Sequence, residues 1–193
     1  MTFTVDWSQT RGYWADMFAD YGLPGQADLH FLEIGCFEGR TTLWLLENVL
    51  TDPTCLITVI DTFQGSPEFE HMGVDGDSLD RFTENLADFI MDGKVIVRQG
   101  ESRDVLRTIP VEPRYDFIYV DGSHYADDVH EDATLAWTLL KPGGVMVFDD
   151  YMWGLEGQEE WERPRQGIDD FMSEHIDELE VRHCHYQLVV EKK

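Results

Sequence analysis

The sequence predicts an α/β fold: a doubly wound, mostly parallel sheet with helices on both faces and an antiparallel strand at its C-terminal end. From about residue 30 onward, short β-rich runs alternate with helical stretches, the pattern of consecutive βαβ units. Two of those runs, Phe117-Ile118-Tyr119-Val120 and Val145-Met146-Val147-Phe148, are continuously apolar, as strands covered on both faces are. No linker, repeat or low-complexity tract divides the 193 residues, a length that one domain accounts for.

In chain order, Gln9–Tyr21 places Tyr13, Trp14, Met17, Phe18 and Tyr21 at helical spacing, which reads as a helix (9–21) packed on the body whose aromatics could also floor a substrate pocket. The predicted strands are His30–Gly35, Cys55–Asp61, Lys94–Gly100, Tyr115–Asp121 and Gly144–Asp149, with helices at Thr41–Leu50, Ser78–Met91, Ser102–Ile109 and Ala126–Leu140. A last helix over Gly167–Glu178 precedes Glu180–Val190. That stretch is rich in β-formers but too long for one core strand, so it reads as an antiparallel pair turning near His183–Tyr186. Two segments stand outside the alternation: Thr62–Asp77, with Gly65, Pro67, Gly73 and Gly76, and Tyr151–Gly167, with Trp153, Gly154, Gly157, Trp161 and Pro164. Both follow the carboxyl end of a strand, and loops of that length in compact domains serve as substrate lids.

Fourteen Lys and Arg stand against 39 Asp and Glu, a formal net charge of −25. Such a chain repels phosphates at long range and has no basic stripe, which excludes tight binding to nucleic acid or to an anionic membrane surface. There is neither a bilayer-length apolar run nor a basic-then-apolar leader pattern, so a cytoplasmic location is expected. Cys36, Cys55 and Cys184 are an odd, widely spaced set without C-x-x-C; they argue against disulfides and a zinc ribbon and are expected reduced in the core.

The run from Glu33 to Thr41 closes the first strand and opens the first helix, where α/β sheets bind ligands. A dinucleotide fingerprint needs a second glycine so that backbone can approach the pyrophosphate, and here that position is Phe37. What remains is E-x-G-x-x-x-G (Glu33, Gly35, Gly39) with Asp61 ending the second strand, a carboxylate suited to ribose hydroxyls. The sequence here resembles the S-adenosylmethionine-dependent methyltransferases with a Rossmann-like sheet. The resemblance implies that Glu33, Gly35, Cys36, Phe37, Gly39 and Thr41 pass the methionine part of the cofactor. It further implies that Asp61 and Thr62 face the ribose, that Gly100, Glu101 and Ser102 lie near the adenine, and that Asp121 borders the same crevice.

Asp121 ends the fourth strand and Asp149-Asp150 the fifth. Neighbouring parallel strands lie about 4.8 Å apart, so these carboxylates converge at the crevice and repel one another unless a positive charge joins them. A hard divalent cation, Mg²⁺, is the economical candidate; helix caps and turns are the structural alternative. His124, at the mouth of the same site, is a fitting general base or, alternatively, a capping residue. Asp61-Thr62-Phe63-Gln64-Gly65, Val120–His124 and Asp149-Asp150 resemble, more narrowly, the metal-dependent macrocin O-methyltransferase type. That resemblance implies Asp121, Asp149 and Asp150 as metal ligands, His124 as base with Asp121 beside it, and a small-molecule hydroxyl (sugar or natural product) as acceptor. A metal-independent methyltransferase, a nicotinamide-dependent oxidoreductase and a non-catalytic module are the alternatives. An exposed terminal strand or the N-terminal aromatic helix would provide the surface for a homodimer.

Overall fold

The computed structural model describes residues 1–6, 12–65, 78–154, 159 and 163–193. Helix α1 (Trp14–Asp20) precedes β1 (His30–Ile34), α2 (Arg40–Asn48) and β2 (Leu56–Asp61). Then come α3 (Ser78–Asn85), α4 (Ala87–Met91), β3 (Val95–Gln99), α5 (Ser102–Leu106) and β4 (Tyr115–Val120). The chain ends through α6 (Ala126–Trp137), β5 (Leu140–Phe148), α7 (Pro164–Glu174), β6 (Leu179–Cys184) and β7 (Leu188–Lys192). The seven strands form one sheet in the order β3-β2-β1-β4-β5-β7-β6. Strands β1 to β5 pair in parallel, and β7 runs antiparallel to both β5 and β6. The doubly wound, Rossmann-like architecture predicted from the alternation is the one observed.

Alternation along each strand sorts its side chains onto two cores. Phe31, Ile57, Val59, Phe117, Tyr119, Val145 and Val147 pack with α1, α2 and α3, while Leu32, Ile34, Ile118, Val120, Met146 and Phe148 pack with α6 and α7. Emptying one such position, for example Phe117→Ala, carries a cost of about 3–5 kcal/mol. Helix α1 belongs wholly to the first core. Trp14 is fully buried edge-on to Phe117 and Tyr119, with its indole N–H donated to Gln187 Oε1 at 2.9 Å. Its aromatics therefore support the sheet and do not floor a pocket, because the apolar stripe faces the strands.

Several predicted boundaries shift. The single helix expected over Ser78–Met91 is two, parted at Leu86, where φ −114° and ψ 14° leave the helical region. Helix α7 begins at Pro164, whose fixed φ suits the first turn. Gly167 therefore lies inside the helix, where a Cβ would stand 2.0 Å from the Ala126 carbonyl oxygen of α6. The lid segments are described at Thr62–Gly65, Tyr151–Gly154, Glu159 and from Arg163 onward; their remainders, with residues 7–11 of the predicted first helix, lie outside the described residues. Cys36 and Cys55 are buried, but Cys184 is exposed on β6, an edge strand with one face in solvent. Among the described residues no helix is long and apolar enough to cross a membrane.

Candidate active site

The order of connections reverses between β1 and β4, and the crevice beyond their carboxyl ends is where open α/β sheets bind ligands. A cavity of about 720 Å³ opens there. Its wall takes Gly35, Cys36, Phe37 and Thr41 after β1, Asp61 and Thr62 at the end of β2, and Gly100, Glu101 and Ser102 after β3. Asp121 and His124 follow β4, and Asp149, Asp150 and Trp153 follow β5. Thirteen of the fifteen residues singled out from the sequence thus share one cavity wall. Glu33 and Gly39 are the two that do not.

Glu33 is fully buried beneath the loop, where its Oε2 accepts the Thr42 hydroxyl at 2.6 Å. Gly39 is required by packing: at φ +81° a Cβ would meet Leu86 at 2.7 Å and Phe82 at 2.9 Å. Gly35, at φ +82°, lets the backbone leaving β1 press against the backbone leaving β4, since a Cβ there would lie 1.9 Å from the Asp121 carbonyl oxygen. Phe37, at the position that argued against a dinucleotide loop, is itself left-handed at φ +48°. Its strain is sustained by Asp61, whose Oδ2 accepts the N–H groups of Cys36 and Phe37 at 2.8 Å each, while Oδ1 accepts Phe63 N–H at 2.7 Å. Asp61 thus ties the loops after β1 and β2 together, and three of about four acceptor positions are already engaged, which leaves little for the two ribose hydroxyls expected of it.

The acidic half is more tightly knit. Asp149 accepts the Tyr119 hydroxyl through Oδ2 and the Asp150 N–H through Oδ1. Asp150, left-handed at φ +56°, accepts the Tyr186 hydroxyl on Oδ1 at 2.6 Å and meets His124 Nε2 with Oδ2 at 3.0 Å. The imidazole also lies against Trp153, ring centroids 4.2 Å apart. Loss of water, then the charges of Asp149 and Asp150, hold the Asp121 carboxyl well above the usual range. Desolvation and then Asp150 raise Asp149 likewise, against the lowering effect of the Tyr119 hydroxyl. This is a hard-oxygen donor set with an excess of negative charge. In the conformation observed, however, Asp149 and Asp150 turn toward protein donors, and among the described residues no three His, Cys, Asp or Glu side chains stand together as a metal site.

Other features were not anticipated from the sequence. Tyr186 reaches the site from the β6–β7 turn, and the N-terminal segment supplies Phe3, Val5 and Asp6 to the cavity wall. That segment is pinned by Glu38, which accepts Thr4 N–H and the Thr4 hydroxyl at 2.7 Å each. Asp132 of α6 lines the cavity while almost wholly buried, and burial pushes its carboxyl up to about 7. In the sequence it sits among Asp127, Asp128 and Glu131 and reads as one more residue of a solvated face; only the helical phase relative to Ala133 and Ala136 distinguishes it.

Comparison with known proteins agrees with this fold. A curated relative, an uncharacterized protein of Acanthamoeba polyphaga mimivirus, is 26% identical over 131 residues; the match covers 64% of this chain and about half, 52%, of that protein. Among solved structures, the O-methyltransferase TomG of Streptomyces achromogenes, in complex with SAM, superposes with a TM-score of 0.69 at 19% identity, covering 97% of this chain and 82% of that one. An O-methyltransferase from Bacillus cereus, in complex with SAH, gives 0.67 at 19% identity, covering 98% and 84%. Those likenesses establish the fold. Residues 32–151, from β1 to the end of the acidic cluster, match the family model of a methyltransferase domain, and with more than half of its length so matched this chain belongs to that family.

Proposed function

We propose that the chain transfers the methyl group of S-adenosylmethionine to a hydroxyl of a small molecule, with Mg²⁺ assisting. The observation that carries this reading is the division of one cavity into two halves. The strand ends of β1 to β3 offer a loop-built bed for a nucleoside-bearing donor, and those of β4 and β5 offer carboxylates and an imidazole for a hydroxyl acceptor. The two solved O-methyltransferases named above, in complex with SAM and SAH, support the donor assignment. A net charge of −25 favours a small acceptor over a nucleic acid.

His124, oriented by Asp150, would take the proton of the attacked hydroxyl; its oxygen forms a bond to the methyl carbon as the carbon–sulfur bond breaks, releasing S-adenosylhomocysteine. Trp153 and Tyr186 would border the acceptor, and holding oxygen, carbon and sulfur in line is the cavity's main contribution to rate. Asp121, Asp149 and Asp150 would hold Mg²⁺, which when bound supplies an electrophile that acidifies the hydroxyl. A metal-independent reaction is the second reading, favoured by the ready-made His124–Asp150 contact.

The test is calorimetric titration with S-adenosylmethionine in the presence of Mg²⁺, with NAD as control. Micromolar binding of the first alone supports the donor assignment; no binding of it removes the proposal. Activity abolished by chelator, and by Asp121→Asn, supports the metal; activity surviving both selects the second reading.

A further inference from the structure

A second cavity, of about 330 Å³, lies on the α5 face of the sheet toward its amino-terminal end, beneath the segment that joins α5 to β4. It shares no lining residue with the candidate active site. Its character runs against that of the chain. In a protein with 39 acidic and 14 basic residues, this cavity is lined by Arg98 of β3, Arg114 and His30, and by no carboxylate among the described residues.

Both arginines have donors to spare. The Arg98 side chain makes no hydrogen bond or ion pair among the described residues. Arg114 gives Nη2 to the Pro110 carbonyl at 3.4 Å and to the largely exposed Glu112, but its Nε is shielded from water with no partner. A guanidinium N–H removed from water and left unpaired is costly, and a ligand oxygen that accepts it recovers that cost. Glu112 pairs with Arg114 from the solvent side at Nη2 only, and Asp116 is engaged by Lys141 at 2.7 Å and by the His30 backbone N–H at 2.8 Å. Planar guanidinium groups match the oxygens of phosphate and carboxylate. Ile96 and Ile109 add apolar wall beside them.

We propose that this cavity is a second ligand site, which takes a small molecule through a phosphate or carboxylate group held by Arg98 and Arg114. The test is a titration of the ¹⁵N-labelled whole chain with inorganic phosphate and, separately, with malonate, against sodium chloride at matched ionic strength. The arginine Nε–Hε resonances are followed and assigned by their loss in Arg98→Gln and Arg114→Gln. A saturable shift with either oxyanion, weakened about tenfold by Arg98→Gln, supports the site, and the anion that produces it identifies the headgroup. Because Arg98 is exposed, Arg98→Gln should keep the wild-type melting temperature and S-adenosylmethionine affinity. A shift reproduced by chloride, or a midpoint unchanged in both arginine variants, overturns the proposal.

Discussion

Gly35→Ala tests the close approach of the segments leaving β1 and β4, on which the crevice is built. A Cβ at this position would stand 1.9 Å from the Asp121 carbonyl oxygen, and real Cβ atoms essentially never come within 3.0 Å of such a neighbour, so the two segments must part by at least about 1.1 Å. The obstacle is backbone, which no rotamer change moves aside. Two hydrogen bonds of 2.8 Å flank this approach, Asp121 N–H to Ile34 O and Gly35 N–H to Ile60 O, and the first would be drawn beyond bonding distance. A left-handed alanine costs about 1 kcal/mol, overpacking about 1–3 kcal/mol and the lost bond about 1 kcal/mol. The expected destabilisation is therefore about 3–5 kcal/mol, read as a fall of about 2 M in the urea midpoint. Because Asp121 itself is displaced, affinity for S-adenosylmethionine should fall with it. A midpoint within about 0.3 M of wild type, with unchanged affinity, would refute the steric argument.

Asp132→Asn should flatten the pH dependence of stability. The native carboxyl, raised from 3.8 to about 7 chiefly by burial, holds its proton more firmly than the unfolded one, so wild-type stability falls as pH rises between these values and levels off above. The gap is worth at most about 4 kcal/mol, and melting temperatures from pH 4.5 to 8.5 should show the variant gaining on wild type across that window; parallel curves would count against it. Asp61→Asn replaces one oxygen by an amino group facing backbone N–H donors, and is expected to cost about 1–3 kcal/mol and to weaken S-adenosylmethionine binding about tenfold. Thermal shift with and without the ligand measures both, and an unaltered shift would mean that the loop does not need its tie. Glu38→Ala removes the acceptor shared by Thr4 and Arg81, at a cost of about 3 kcal/mol. Faster hydrogen exchange at Thr4 is the signature, and exchange at the wild-type rate would show that the N-terminal segment is held by other contacts.

Much of the architecture was legible because it rests on local chemistry. Continuous apolar runs such as Val145–Phe148 suit strands covered on both faces, and the helical periods between them point to a parallel sheet with helices on both sides. The acidic residues of the crevice followed from the same logic, since each was placed by its position at or just beyond a strand end: Asp61 closing β2, Asp121 after β4, Asp149 and Asp150 after β5. Where the reading depended on what meets what across the fold, it fell short. Trp14 read first as packing on the body with a pocket floor as the alternative, and the approach of Phe117 and Tyr119 decides for the core.

The sequence by itself determined the order of the strands and thirteen residues of the cavity wall, and pointed to the family by resemblance, because periodicity and motif spacing act over a few residues along the chain. The tertiary structure alone decided which groups those residues face. It showed that Gly39 is small because Phe82 and Leu86 arrive there. It engaged Asp61 with two loops and gave Asp150 to Tyr186, 36 residues away. It also buried Asp132 while leaving its acidic neighbours nearer water, and gathered Arg98 and Arg114 on a face of an otherwise acidic molecule. Such contacts join residues distant in sequence through packing in three dimensions, and no one-dimensional pattern encodes the distance between two side chains that the fold alone brings together.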